Sequence, residues 1–247
     1  MFKIQVHVAS PRRALYLDAI ARMPEVELVE EGADALVTDT AGDPSLPTLL
    51  DAPEEGDPTR LSTLEGAPLM PAHEWRFAPN VIPVQESRSQ GQLGEPGLLR
   101  IHYWLARKKC PRTVSFHQID LAHWFFSSPP DSVYCHACQD YLLIHLGYPD
   151  GGMALIDVAT DRPGTTDYHS MHLIGSDGAA YADDHENTHL LLGKAEATAL
   201  IQPVNAILTI QNMLEEFVAG IRESRPWSVN LQDTLHVLAT LKEVSHA

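Results

Sequence analysis

Residues 117–126, which read HQIDLAHWFF, carry an imidazole and a carboxylate three positions apart. On a helix His117 and Asp120 share one face with Leu121 and Trp124, because the four residues follow the i, i+3, i+4, i+7 spacing. An imidazole titrates near neutral pH, so this face could carry out acid–base chemistry on a substrate. The same spacing also fits a core helix whose histidine is held by a hydrogen bond, and the pattern alone leaves both interpretations open.

The segments around this helix predict a domain built on a large sheet. The run Thr113–Phe116 predicts a short strand directly before the helix, and SSPPD predicts a turn after it. Residues 97–108 alternate in polarity and predict the first strand of the domain. From residue 131 onward, alternating segments joined by the turn signals PDGG, DRPG and GSDG predict an antiparallel meander. Residues 195–227 predict two helical stretches broken near Pro203, and residues 230–247 predict a closing helix.

The first forty residues predict a β-α-β unit of the kind that opens a dinucleotide-binding domain. Ser10 is the predicted N-cap of its helix and Pro11 the first helical residue. The glycine-rich turn that such a domain needs is missing, because the first glycine of the chain is Gly32. Arg12 and Arg13 could still attract an anion, but solvated arginines at a helix start would look the same.

Four ordered blocks of this sequence resemble the glucose-fructose oxidoreductase, inositol dehydrogenase and MocA family (Gfo/Idh/MocA). They are the HQIDLAHWFF helix with the following DSVYC, the segment AHEWRFAPNVIPVQESRSQGQLGEPGLLRIHYW, the turn HLIGSDGAAYAD, and the closing segment that begins at LEEFVAGIRESRPW. The resemblance implies a Rossmann domain, a second domain whose sheet pairs with a second subunit, and NAD(P)-dependent oxidation of a sugar or cyclitol. It also places His73 and Arg76 at a corner that faces cofactor and substrate, although the same corner could be only an interdomain hinge.

The resemblance also shows which catalytic groups are replaced. The family's hydride-transfer enzymes usually use a lysine, and this chain has no lysine between Lys3 and Lys108. The family's aspartate, four residues before the helix histidine, corresponds to Thr113, whereas His117 is kept. A histidine without this carboxylate loses its orienting partner and much of its basicity.

Composition and cysteine usage exclude several other functions. The formal net charge of −16 disfavours nucleic acid and anionic membranes as partners. Three cysteines argue against a disulfide framework, and Cys135, His136 and Cys138 lack the second pair of ligands that a zinc site needs. The cluster ADDHENTH at residues 182–189 could hold a divalent ion, but a hydrated loop of mixed charge is the simpler interpretation, so we expect no metal.

Together these observations predict an α/β plus α+β chain. A reduced Rossmann-like domain (residues 1–94) is followed by a domain (95–247) with a large, mainly antiparallel sheet covered by helices on one face. We expect a cytoplasmic, homo-oligomeric protein that is non-catalytic or accessory, binds a sugar or polyol, and has lost its NAD(P) site. It could also act beside a catalytic paralogue. The alternative is an active dehydrogenase that uses His117 on a sugar or cyclitol, with NAD(P) held by Ser10, Arg12, Arg13, His73 or Arg76.

Overall fold

The computed structural model describes residues 1–41, 45–162, 167–183, 188–192, 197–201 and 205–245, of which 183, 188–192 and 197–201 are described by their backbone only. The chain divides into two compact units. Unit 1 comprises Met1–Ala78 and Asn205–His236, and unit 2 comprises Pro79–Val204 and Val237–Ala247. The predicted boundary between residues 94 and 95 differs from this division, since the chain returns to unit 1 after residue 204.

Unit 1 is built on a five-stranded, fully parallel sheet with the strand order β2-β1-β3-β4-β5. Its strands are β1 Phe2–His7, β2 Val26–Leu28, β3 Ala35–Thr38, β4 Thr48–Leu50 and β5 Leu69–Pro71. Its helices are α1 Arg12–Ile20, the short α2 Pro58–Ser62 and the 18-residue α6 Ala206–Glu223, with 3₁₀ turns at Pro53–Glu55 and Glu74–Phe77. The parallel sheet confirms a Rossmann-like domain with short connections.

The return of α6 to unit 1 follows from its apolar side. Asn205 caps the helix, with its side-chain oxygen accepting the N–H of Ile207 at 2.9 Å. Met213, Leu214 and Phe217 are fully buried in the same hydrophobic core as Ile4 and the other inward residues of the sheet. Burial of such side chains contributes about 1.5–3 kcal/mol each, so this helix is a main source of stability in unit 1.

Unit 2 is built on an eight-stranded mixed sheet with the order β13-β12-β11-β10-β6-β9-β8-β7, in which β6 and β9 run parallel and the other neighbours run antiparallel. The strands are β6 Pro96–Trp104, β7 Ser132–Cys138, β8 Tyr141–Gly147, β9 Met153–Ala159, β10 Tyr168–Gly175, β11 Ala179–Asp183, β12 Thr188–Leu192 and β13 Ala197–Ile201. The helices are α3 Ile82–Ser89, α4 Pro111–Val114 and α5 Phe116–Phe126. A final helix, α7 Leu231–Val244, begins in unit 1 and ends in unit 2.

One face of this sheet packs against helices, whereas the other face, in the strands whose side chains are described, is partly exposed. α5 packs on β6 and β9, and the second half of α7 reaches the same unit through Thr240, whose hydroxyl lies 3.2 Å from His123 Nε2. In β8, Leu142, Ile144 and Leu146 are buried while the alternate residues are partly exposed. The predicted fold class, a reduced Rossmann-like domain followed by a sheet covered by helices on one face, is therefore confirmed.

Two local predictions were wrong. Thr113 belongs to the helical turn α4 rather than to a strand, because Pro111 at the first helical position favours a helix start. Residues 197–201 form β13 instead of a helix, since pairing with β12 overrides their helical pattern. Residues 74–94 do not form one continuous helix, because a 3₁₀ turn occupies Glu74–Phe77 and α3 starts at Ile82, next to Pro83.

Among the described residues, no helix has both the length and the apolar character that crossing a bilayer requires.

Candidate functional site

The turn after β1 would hold a diphosphate if this sheet bound a dinucleotide, because backbone N–H groups converge there in such domains. Here the N–H of Ala9 donates to Asp39 Oδ2 at 2.9 Å. Pro11 has no N–H, and Arg13 N–H donates to the Ala9 carbonyl at 3.1 Å. Pro11, without a side-chain hydrogen bond, occupies the N-cap position, so the prediction of Ser10 as N-cap was wrong; Ser10 is an exposed residue of the turn.

Arg12 leads from this turn into a charged cluster, which we call the Arg12 cluster: Arg12, Tyr16, Asp51 and Glu74. Arg12 Nε and NH2 donate to the two carboxylate oxygens of Asp51 at 3.0 and 2.5 Å, and NH1 donates to Glu74 Oε2 at 2.8 Å. The Tyr16 hydroxyl donates to Asp51 Oδ1 at 2.8 Å. Tyr16 and Asp51 are 0% and 1% exposed, so the guanidinium is held by a buried carboxylate on one side and by Glu74 on the other.

Titration in this cluster follows from burial and charge. Burial raises the pKa of Tyr16 well above its usual value, and the adjacent Asp51 carboxylate raises it further. Burial alone would lower the pKa of Arg12, but its hydrogen bonds to Asp51 and the charges of Asp51 and Glu74 raise it above the ordinary arginine value. Arg12 therefore stays cationic, and its charge is directed at protein carboxylates.

Three carboxylates follow the carboxyl ends of strands in the parallel sheet. Asp39 directly follows β3, Asp51 directly follows β4, and Glu74 begins the turn after β5. Ligands of open parallel sheets bind outside the carboxyl ends of the strands. Carboxylates at this edge repel a diphosphate, and Asp39 takes the amide that would bind it. The residues present therefore do not fit the diphosphate of NAD(P); Arg13, which is partly exposed, is the remaining cation of the turn.

His73 and Arg76 lie against the first turn of α7. His73 is 0% exposed, and its Nε2 lies 2.8 Å from the hydroxyl of Thr234. Arg76 is 6% exposed and donates through NH1 to Asp233 Oδ2 at 3.1 Å. Within unit 1, both side chains contact the start of α7, although the sequence suggested them for a corner that faces the cofactor. Asp233 also places a negative charge at this helix N-terminus, which the helix dipole favours.

The candidates in unit 2 lie on two consecutive helices. His117 is half-buried in the first turn of α5, with its ring centroid 5.3 Å from that of Phe116. Asp120 is 0% exposed, and Thr113 is an exposed residue of α4. Threonine does not titrate at neutral pH, so Thr113 cannot take the acid–base role of the aspartate that the sequence resemblance implies at this position.

A group of cations precedes Thr113, and the sequence interpretation missed it. Arg107, Lys108 and Lys109 are exposed, and Arg112 is partly exposed in α4. The signal was present in the sequence, because no acidic residue occurs between Glu95 and Asp120. We call residues 107–112 the basic loop.

Within the described part of the chain, no group of three or more His, Cys, Asp and Glu side chains is arranged to hold a metal ion. The cluster at 182–189 is not tested by this observation, since residues 184–187 lie outside the described residues. Cys135 is buried with its sulfur 3.4 Å from the Val244 carbonyl, while Cys138 is exposed.

Neither a family model nor a curated protein matches the sequence. The structure, in contrast, has the two-part fold of the Gfo/Idh/MocA-type oxidoreductases, as the sequence resemblance predicted.

Three solved structures illustrate this similarity. An oxidoreductase from Agrobacterium radiobacter, in complex with NAD⁺, L-tartaric acid and magnesium, matches with a TM-score of 0.83 at 12% identity, over 99% of this chain and 95% of that one. A myo-inositol dehydrogenase from Corynebacterium glutamicum matches with a TM-score of 0.78 at 15% identity, over 100% and 96%. UDP-N-acetylglucosamine 3-dehydrogenase from Acidithiobacillus ferrooxidans matches with a TM-score of 0.77 at 16% identity, over 98% and 96%.

Proposed function

We propose that this chain is a Gfo/Idh/MocA-type protein that has lost its dinucleotide site and acts as a non-catalytic, ligand-binding or accessory subunit. One observation carries the proposal: carboxylates occupy the binding edge of the parallel sheet. Asp51 and Glu74 neutralise Arg12, and Asp39 takes the Ala9 amide. A diphosphate would have to displace these carboxylates from Arg12 and from the Ala9 N–H, so the existing hydrogen bonds would be lost. It would also be repelled by the carboxylates that remain nearby.

The ligand of the proposed subunit is a sugar or polyol bound by unit 2. The half-buried imidazole of His117 supplies a hydrogen-bond donor or acceptor for a hydroxyl group. A protein that binds such a ligand without oxidising it could present it to a catalytic paralogue or report its concentration. Equilibrium dialysis of the full chain against a panel of hexoses and cyclitols tests this part, and His117→Ala should weaken any binding found.

The proposed partner of the open sheet face is a second copy of the chain. Large side chains remain uncovered there: Tyr134 is 61% exposed, Tyr141 38% and Met153 39%. Exposed apolar and aromatic residues on one face are typical of an interface. We expect a dimer in light-scattering measurements of the purified chain and a monomer for Tyr134→Asp, whereas Leu28→Asp, which changes an exposed apolar residue of unit 1, should leave the dimer intact.

The test of the central proposal is a calorimetric titration of the full chain with NADH and NADPH. We expect no saturable heat in the range that corresponds to a Kd of about 1 mM or tighter. A micromolar Kd for either coenzyme would refute the loss of the site. Folding of the sample is checked separately by circular dichroism, so a negative result is not confused with unfolded protein.

A second candidate function is an active dehydrogenase that uses His117 as acid or base. The observation in its favour is that His117 is kept in a fold that a neighbour, the Agrobacterium oxidoreductase, shows in complex with NAD⁺. Under this hypothesis, turnover of a polyol with NAD⁺ or NADP⁺ would be detected, and His117→Ala would abolish it. Activity that survives His117→Ala would exclude the role assigned to this residue.

A further inference from the structure

The basic loop stands out because the rest of the chain is strongly acidic. The chain has 17 Lys and Arg against 33 Asp and Glu, yet residues 96–119 contain five cations and no acidic residue. Four of the five cations are Arg107, Lys108, Lys109 and Arg112, within six consecutive positions. A local positive potential attracts anions to this loop, whereas the acidic remainder of the protein repels them.

The backbone of the loop is held in place by the segment that follows β9. Leu105 N–H donates to the Ala159 carbonyl at 2.8 Å, and the N–H groups of Asp161 and Arg162 donate to the carbonyls of Arg107 and Leu105 at 3.2 and 3.0 Å. The Thr160 hydroxyl donates to the Lys109 carbonyl at 3.1 Å. The cations are thus presented from an anchored backbone, which lowers the conformational entropy that binding would cost.

The charges of the loop are only partly neutralised. Asp167 accepts the Ala106 N–H at 2.9 Å and lies 3.3 Å from Arg107 NH2, in a solvent-exposed pair. Throughout the described ranges, no carboxylate forms an ion pair with Lys108, Lys109 or Arg112. Counting only the described residues, three cations of the loop are therefore not paired with a carboxylate.

The thiol of Cys110 is sensitive to the local charge of the loop. Cys110 is exposed and takes the N-cap position of α4, without a side-chain hydrogen bond to the helix. The backbone of Thr113, with that of Arg112 and the charge of Arg112, lowers the Cys110 pKa against the opposing effect of burial. The loop thus stabilises a negative charge at its centre.

We propose that the basic loop binds the anionic group, a phosphate or a carboxylate, of the sugar-type ligand of unit 2. The proposal rests on the ligand-binding function inferred above and narrows it to anionic sugars. Lys108 and Lys109 act as point charges, while the planar guanidinium of Arg112 can donate two parallel hydrogen bonds to one anion. Arg112, the last residue of the loop, lies five positions before His117 in the chain, and both belong to unit 2, so one sugar could contact both.

Cys110 serves as a built-in reporter for the experiment. The full chain is treated with the neutral reagent iodoacetamide, and alkylation of Cys110 and Cys138 is followed by peptide mass spectrometry. The additions are glucose 6-phosphate, glucuronate, glucose and inorganic phosphate at equal ionic strength. We expect the sugar phosphate or the uronate to slow alkylation of Cys110 several-fold and saturably, whereas glucose has no effect and the exposed Cys138 reacts unchanged.

Charge variants decide whether the loop itself is responsible. Lys108→Gln/Lys109→Gln should weaken the protective ligand by about tenfold or more. Lys242→Gln changes an exposed lysine of α7 and should leave the affinity for the protective ligand unchanged. The phosphate and uronate arms identify which anionic group binds.

Three outcomes would overturn the proposal: no protection by any anion, protection that survives the double substitution, or inorganic phosphate protecting as well as the sugar phosphate. The last outcome would mean an adventitious ion only. The proposed loss of the dinucleotide site is tested separately, because NADH binding would refute it and does not depend on the basic loop.

Discussion

Replacing Asp51 with alanine should destabilise the protein through one buried hydroxyl. Asp51 is 1% exposed and accepts hydrogen bonds from Tyr16 and Arg12. Without it, the fully buried Tyr16 hydroxyl loses its acceptor, which costs about 1–3 kcal/mol. Arg12 is 35% exposed and keeps Glu74, so solvent limits its share to about 1 kcal/mol. We therefore expect a total loss of about 2–4 kcal/mol.

Urea unfolding followed by circular dichroism measures this loss, and a double-mutant cycle identifies its cause. Tyr16→Phe removes the hydroxyl that Asp51→Ala leaves unpaired, so the double variant should be about 1–2 kcal/mol more stable than the sum of the single effects. Asp18→Ala, at an exposed position of the same helix, should change stability by less than about 0.5 kcal/mol. Additive effects of Asp51→Ala and Tyr16→Phe would refute the coupling inferred from the structure.

Two further predictions concern other parts of the fold. Gly220→Ala should lower the urea midpoint although alanine favours a helix by about 1 kcal/mol, because a Cβ at Gly220 would lie 2.4 Å from Trp227 Cδ1; a higher midpoint would contradict this packing. Asp157 accepts hydrogen bonds from Trp104 Nε1 at 2.9 Å and from His102. Burial raises the pKa of Asp157, but the hydrogen bonds from His102, Trp104 and Tyr141 outweigh burial and lower the pKa overall. A lowered folded-state pKa contributes stability above the ordinary carboxyl pKa, and this stability is lost as the pH falls through the folded value. Urea midpoints between about pH 6 and pH 3 should therefore fall more for the wild type than for Asp157→Asn. Parallel curves for the two proteins would exclude this contribution.

The fold could be predicted from the sequence to a large extent because its signals are local or repetitive. The β-α-β opening and the alternation of residues 97–108 led to the correct sheets, and the four blocks identified the correct fold class. Predictions failed where tertiary pairing decides the outcome. Residues 197–201 have a helical pattern but pair with β12, and the helix α6 joins unit 1 because its apolar side fits that core.

The candidate site was harder to predict, because its charges come from distant parts of the chain. Arg12 lies 39 residues from Asp51 and 62 from Glu74, and no sequence pattern marks the three as partners. The missing glycines led to the prediction that the dinucleotide site is lost, which stays a prediction, whereas no sequence pattern predicted that Asp39 accepts the Ala9 N–H. His73 and Arg76 were likewise suggested as cofactor contacts, although burial and α7 give them structural partners.

The basic loop shows the opposite case, in which the signal was in the sequence but was not used. The sequence interpretation considered only the net charge of −16. It did not consider that residues 96–119, a stretch of 24 residues, contain no carboxylate side chain. Local charge is the quantity that a small anionic ligand meets, because screening limits its range to about 8–10 Å.

The most direct test of the central claim is to soak crystals of the unmodified protein in excess NADH and to examine the turn at residues 9–13. The account predicts an Arg12 cluster unchanged, with Asp39 still bonded to the Ala9 amide and no ordered diphosphate beside it. A diphosphate seated on that turn, with Arg12 turned away from Asp51 toward the phosphates, would contradict the account.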